Sequence, residues 1–116
     1  MKYTYPAIFR PEEKGFSIFF PDIRMGGTQG EDIRDGLEMA HDFLIGAMLM
    51  LEDEGQKIPT PSDINDLDLK ADEFPSFISV DTDAYRRNME TKAESFNINR
   101  SKTLQRALKE DLKIAN

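Results

Sequence analysis

Residues 31–54 carry the periodicity that most constrains what this chain can fold into. Ile33, Leu37, Ala40, Leu44, Ala47, Met48 and Leu51 recur at steps of three and four, the spacing of one stripe on an α-helix. Glu31, Arg34, Asp35, Glu38, Asp42, Glu52 and Asp53 fall opposite. Glu31, Asp32 and Asp35 occupy the first turns, where the helix dipole favours negative charge. Gly55 follows the last periodic residue, where a left-handed cap usually falls. Gly36 and Gly46 each cost about 1 kcal/mol relative to Ala inside a helix. Close packing against a sheet is the expected compensation.

That sheet is written on both sides of the helix. Tyr3, Tyr5, Ala7 and Phe9 share one side at period two, the mark of a half-buried strand. Pro6 removes a backbone donor, so this part of the strand is expected at an edge or a bulge. Pro11-Glu12-Glu13-Lys14-Gly15 reads as a turn with positive φ at Gly15. Phe16, Ser17, Ile18, Phe19 and Phe20 read as the returning strand of a hairpin, with Phe16, Ile18 and Phe20 toward the core. A third short strand fits near Gly27-Thr28-Gln29-Gly30. After the helix, Ile58 to Ser62 must be extended at Ile58 and Thr60, because each precedes a proline. Residues 63–73 are polar and acidic, a loop. Phe77 to Asp81 reads as a further strand, and its alternation of Ile78, Val80, Thr82 and Ala84 can be continued to Arg86. Leu104, Leu108 and Leu112 recur at steps of four, with Ala107 beside them, so a last helix is expected over about 101–113, capped by Asn99 or Ser101. The fold class that results is α+β: an antiparallel sheet with one long helix packed on a face, plus a short C-terminal helical tail. Two segments are expected, an α+β domain at 1–81 and a strand extension with the C-terminal helix at 82–116.

Charge divides the chain at the same place. The whole sequence carries −7. Residues 1–81 hold 7 Lys and Arg against 17 Asp and Glu, and residues 82–116 hold 8 against 5. An acidic body repels nucleic acid and attracts a basic partner. The basic tail favours a phosphate backbone, though weakly. There is no cysteine, hence no disulfide framework and no thiolate metal site. No apolar run approaches the roughly 20 residues that span a membrane, and the chain begins in a strand pattern rather than a signal peptide. A cytoplasmic protein is expected.

Enzymatic chemistry finds few residues to work with. His41 is the single histidine and sits beside Asp42 at the edge of the apolar stripe. One His with no Cys makes a poor acid–base or nucleophilic set, and a boundary position on an amphipathic helix accounts for it. Asp22, Glu31 and Asp32 offer oxygen ligands for Mg²⁺, yet turn and cap roles account for all three. The glycines at 26, 27 and 30 lack the lysine of a P-loop and the GxGxxG spacing. No catalytic residue, cofactor or metal is expected. Tyr85-Arg86-Arg87 pairs an aromatic with two cations, and either a solvated strand end or a grip on RNA or DNA accounts for it.

Taken in order, the chain's motifs resemble the HicB antitoxin family. They are Phe20-Pro21-Asp22-Ile23, Thr28-Gln29-Gly30, the helix to Glu54, and Gly55-Gln56-Lys57-Ile58-Pro59-Thr60-Pro61-Ser62. The resemblance covers about two-thirds of the chain and lies in the ordered set, no single motif being specific. The family's Pro-Gly-Cys loop is replaced here by Arg24-Met25-Gly26. The resemblance implies a partial RNase H-like body without catalytic carboxylates, which binds a small basic mRNA-cleaving toxin of the HicA type and covers its active site. On that reading Asp22, Glu31, Glu38 and Asp42 are the expected partner-binding residues. Val80-Asp81-Thr82-Asp83-Ala84-Tyr85-Arg86-Arg87 is similar to a stretch that one branch of the family carries before a ribbon-helix-helix DNA-binding unit. The last helix of that unit resembles residues 98–110. Between them only Asn88 to Asn97 remains, too little for the ribbon strand and its first helix, so DNA binding is expected to be weak at most. Arg86, Arg87, Arg100 and Lys102 are the expected nucleic-acid contacts. The leucine stripe needs cover from the body or from a second copy. The family's dimers and tetramers favour a homodimer through Leu104, Leu108 and Leu112. The rival reading is a solitary transcriptional regulator or interaction module with no toxin.

Overall fold

The computed structural model describes residues 1–91. Four strands form one antiparallel sheet in the order β3-β2-β1-β4, built from β1 (Lys2–Pro11), β2 (Phe16–Phe19), β3 (Gly27–Gly30) and β4 (Phe74–Asp81). One long helix, α1 (Ile33–Asp53), packs on one face of it, and a second, α2 (Thr82–Thr91), follows β4 directly. The expected tail helix and its leucines lie outside the described residues.

The hairpin, the short third strand and the helix fall where the sequence places them. The strand β1 is central rather than an edge, yet β2 pairs only with Ile8–Pro11. Pro6 lies beyond the end of β2 and pairs only with Phe77 of β4, so its missing donor interrupts no ladder on the β2 side. Gly15 closes the hairpin turn at φ 77°. A side chain there would strike the Gly30 carbonyl oxygen, so both its dihedral and its neighbour require glycine.

Helix α1 starts at the Asp32 cap, whose carboxylate accepts from the Asp35 N–H at 2.8 Å. It ends in a Schellman motif. The Gln56 N–H reaches the Leu51 carbonyl at 2.9 Å and the Gly55 N–H reaches Glu52 at 3.2 Å, with Gly55 at φ 64°. Gly36 shows what a glycine achieves inside this helix. A Cβ there would sit 3.1 Å from both Ile18 and Phe9, and one on Gly30 would sit 2.4 Å from the Gly36 Cα. Helix and sheet touch here almost backbone to backbone, which offsets the helical cost of glycine.

The core joins Tyr5, Ala7, Phe9, Ile18, Ile78 and Val80 from the sheet to Met39, Ala40, Phe43, Leu44, Ala47, Met48 and Leu51 from α1. Six consecutive helical residues, Phe43 to Met48, are buried. A helix covered by a sheet alone buries one side, so this half of α1 is covered on its outer side as well. Ile23 belongs to the core, and Met25 and Ile58 pack against it; these connecting segments supply the extra cover. Among the described residues the first half of α1 has no such cover. Ile33 and Leu37, expected in the core, are 43% and 39% exposed. Periodicity locates a stripe but not where the covering layer stops.

The strand expected at Phe77 begins earlier, at Phe74, and ends at Asp81. It does not continue to Arg86: residues 82–91 are helical. The Asp81 carboxylate accepts from the Ala84 N–H at 3.1 Å, an N-cap bond that turns the chain into a helix. The alternation through Ala84 fits a strand equally well, and the cap at Asp81 favours the helix.

Candidate functional site

The acidic residues of the body divide into those with internal partners and those facing water. Glu52 is the clearest of the first kind. Its Oε2 accepts from the Tyr3 hydroxyl at 2.5 Å and the Thr82 hydroxyl at 2.8 Å, and its Oε1 accepts from Arg86 Nη2 at 3.2 Å. The same guanidinium reaches Asp53 at 3.0 Å. The Thr82 N–H donates to the Met1 carbonyl at 2.9 Å. One carboxylate at the end of α1 thus ties β1 to the start of α2. Burial raises the Glu52 carboxyl, but the hydrogen bonds from Tyr3, Thr82 and Arg86 outweigh it and hold its pKa below the ordinary value. Burial, then the bond to Glu52, pushes the Tyr3 phenol up to about 12. Beside this joint, Leu49, Asp53, Tyr85, Arg86 and Met89 line a shallow groove between the two helices.

Asp22 is the second internal carboxylate. It accepts from the Ser62 N–H at 2.9 Å and from the Ser62 hydroxyl. The Tyr5 hydroxyl donates to the Pro59 carbonyl at 2.6 Å. Between them these bonds pin the extended segment at residues 58–62 to the sheet. The Phe-Pro-Asp turn and the Pro-x-Pro-Ser segment, far apart in sequence, are two halves of one latch. Burial, then the charge of Asp22, raises the pKa of Tyr5.

The water-facing set lies on the first half of α1. Successive helical residues turn by about 100°. From Ile33 this places the exposed positions in a graded series: apolar at Ile33 and Leu37, then His41 and Arg34, then acidic at Glu38, Asp42 and Asp35; Glu31 lies just before the Asp32 cap, outside the helix. Glu31 and Glu38 are exposed, and Asp42 is partly so. Asp32 and Asp35 act in the cap, Asp35 accepting from the Glu31 N–H at 2.9 Å. His41 lies 3.7 Å from the Asp42 carboxylate, its side chain 41% exposed, a boundary residue on the helix. Of the four expected partner-binding residues the structure sets Glu38 and Asp42 one turn apart on α1, leaves Glu31 just before its cap, and sets Asp22 apart in the latch. Ile33 and Leu37 join the face, and periodicity alone assigned them inward. The clue available in sequence was their place among Glu31, Arg34, Asp35 and Glu38, with no large apolar neighbour before Met39.

Among the expected nucleic-acid contacts, Arg86 is engaged by Glu52 and Asp53, and the bonds to Glu52 and Asp53 raise the pKa of its guanidinium against the opposing effect of burial. Arg87 is exposed on α2. Arg100 and Lys102 lie outside the described residues, as do Leu104, Leu108 and Leu112. Among the described residues no group of three or more His, Asp or Glu side chains is placed to hold a metal ion. No helix there is long and apolar enough to cross a membrane.

Residues 5–116 match the family described as HicB_like antitoxin of bacterial toxin-antitoxin system. The chain is 41% identical over 61 residues to Antitoxin HicB 1 of Photorhabdus laumondii, covering 52% of this chain and 39% of that protein. It is 35% identical over 65 residues to Antitoxin HicB of Escherichia coli, covering 55% of this chain and 47% of that protein. The match thus spans under half the length of these curated relatives. Among solved structures, a chain of a toxin-antitoxin complex from Streptococcus pneumoniae superposes with a TM-score of 0.66 at 25% identity, covering 95% of this chain and 99% of that one. The Burkholderia pseudomallei antitoxin HicB shares the fold, with a TM-score of 0.60 at 16% identity over 98% of this chain and 99% of that one.

Proposed function

The chain belongs to the HicB-like antitoxin family, and from that premise we propose that it neutralises a basic, HicA-like mRNA-cleaving toxin by seating it on the first half of α1 and covering its active site. The observation that carries this reading is the pairing of exposed Ile33 and Leu37 with acidic Glu38 and Asp42 on one helix, and with exposed Glu31 just before its cap. Apolar side chains at the centre of a docking site supply affinity when water is excluded. Carboxylates at its rim steer a cationic partner in and repel RNA that competes for it. The role is non-enzymatic, and the protein works in the cytoplasm, where the toxin's mRNA is. Autoregulation through operator DNA draws on the excess of Lys and Arg after residue 82. With Arg86 engaged by Glu52 and Asp53, this reading rests on Arg100 and Lys102.

The test is binding of the full chain to the toxin encoded beside it, followed across ionic strength. Leu37→Asp is expected to raise Kd at least tenfold with the melting temperature unchanged. Glu38→Lys with Asp42→Lys is expected to slow association and flatten its salt dependence. Unchanged affinity in both variants would remove α1 from the interface. Absence of a neighbouring toxin frame, together with tight operator binding, would favour the solitary regulator instead.

A further inference from the structure

The groove between α1 and α2 has an apolar floor. Leu49 and Tyr85 pack against the core from partly buried positions. Met89, one turn beyond Tyr85 on α2, lines the same groove and is half-buried. Its volume is about 310 Å³, at the lower end for a ligand cleft. The cation in its wall, Arg86, is already engaged by Glu52 and Asp53, so the groove offers a small polar ligand little to hold. Apolar side chains of a packed segment suit it better.

The rim of the groove is acidic where acid is least favourable. Glu52, Asp53 and Glu54 stand at the C-terminal end of α1, and the last turn of that helix holds no basic residue. The negative end of the helix dipole lies there too. Arg86 answers Glu52 and Asp53, yet the Asp53 side chain is 65% exposed and Glu54 is exposed. A cationic segment laid along this rim is drawn to it.

The chain carries a segment of matching chemistry. Residues 92–116 hold 6 Lys and Arg against 3 Asp and Glu. On the helix expected over 101–113, Leu104, Leu108 and Leu112 fall within an arc of about 80°. Lys102, Arg106, Lys109 and Lys113 fall within an arc of about 60° on the other side. A helix this short is marginal alone in water, so its leucines need an apolar seat. Helix α2 ends at Thr91, and residues 92–100 lead from there to the expected helix. Connections between neighbouring helices take about 2–8 residues, so this stretch is long enough to turn the chain back along α2 and over the groove.

We propose that residues 101–113 dock in the α1–α2 groove of their own chain, with the leucines on Leu49, Tyr85 and Met89 and the cations shared between the acidic rim and solvent. A short tether holds such a segment at an effective concentration on the order of millimolar. At micromolar protein the tail of another copy competes poorly for the same seat. The docked segment leaves Ile33 and Leu37 open at the far end of α1, so the groove and the proposed toxin-binding face are occupied independently.

The absence of cysteine makes the test direct. A nitroxide on Gln105→Cys, beside the leucine stripe but outside it, reports on methyl signals of the full chain. Paramagnetic broadening at Leu49 and Met89 is expected to exceed that at Ile33, about 24 Å from Leu49 along α1, at least tenfold. In a mixture of spin-labelled chains without isotope and isotope-labelled chains without nitroxide, the broadening is expected to vanish. Leu108→Asp is expected to abolish it in the labelled chain and to speed tryptic cleavage at Arg106 and Lys109 at least tenfold, with the near-UV circular dichroism of the body retained. Met89→Asp, on the other side of the contact, is expected to speed the same cleavage. Equal broadening at Leu49, Met89 and Ile33 would overturn the proposal. So would full broadening in the mixed sample, which would assign the groove to the tail of a second copy, or cleavage that neither Leu108→Asp nor Met89→Asp accelerates.

Discussion

Asp22 and Glu52 on one side, and Glu31, Glu38 and Asp42 on the other, are chemically the same group put to opposite uses. The first two are surrounded by donors from distant segments and fasten them together. The last three lie on α1 or just before its cap, with their charge turned to water or to its margin. What separates them is the topology that brings donors to one set and withholds them from the other. A strongly acidic composition therefore has two components: carboxylates that hold the fold, and carboxylates that give its surface a field.

The sharpest way to break this distinction is Glu52→Ala. It removes the acceptor of two hydroxyls and a guanidinium, and hydrogen bonds to a charged group are worth about 1.5–3 kcal/mol before the cost of stranded donors. A stability loss of about 2–4 kcal/mol is expected by urea titration, and a loss below 0.5 kcal/mol would put Glu52 with the surface set. Asp22→Ala comes next, at about 1–2 kcal/mol. Its specific signature is faster proteolysis within residues 56–64 once the latch to Ser62 opens. Reversal of Glu38 and Asp42 to Lys is expected to shift stability by under about 0.5 kcal/mol while slowing toxin association roughly tenfold; a large stability loss with unaltered kinetics would exchange the roles of the two sets. His41→Ala is expected to change neither.

Proton titration draws the same line. The Glu52 pKa is lowered in the folded chain, so its contribution is present above the ordinary value of 4.5 and fades as pH falls through the folded pKa. The Tyr3 phenol is raised from 10.0 to about 12, so the neutral hydroxyl favours the fold below pH 10 and that contribution is lost as pH rises toward 12. Stability measured against pH is expected to lose an acid component in Glu52→Gln and an alkaline one in Tyr3→Phe. Persistence of both components in those variants would mean other groups set the limits.

Local patterns made much of the architecture legible. The alternation of Tyr5, Ala7 and Phe9 and the turn at Gly15 place the hairpin. The stripe through Ala40, Leu44, Ala47 and Leu51 places the helix against it. What escaped is what depends on distant neighbours. Ile33 and Leu37 fit the stripe perfectly, but the segments that cover Phe43 to Met48 do not extend over them. Asp22 reads as one more surface acid because Ser62 lies across a whole helix. Tyr85 and Arg86 read as strand because alternation and a short helix share the same residues there, and the bonds that favour the helix come from Asp81, Glu52 and Asp53. The family resemblance supplied the kind of protein, while the difference between Asp22 and Glu38 came only from the fold.

The sheet is closed by its two ends in time as well as in space. Strand β1 pairs with β2 soon after both exist, but its other edge waits for β4, with Lys2 meeting Asp81 and Phe9 meeting Phe74. Such pairings carry a large loop-closure cost and slow folding. A growing chain makes β1 first and must leave that edge unpaired until nearly all of the body has been synthesised. A product stalled or cut before Phe74 keeps a bare apolar strand, open to aggregation and proteases, and lacks a finished scaffold behind α1. Formation of β4 thus seals the edge of β1 that a shorter chain leaves open.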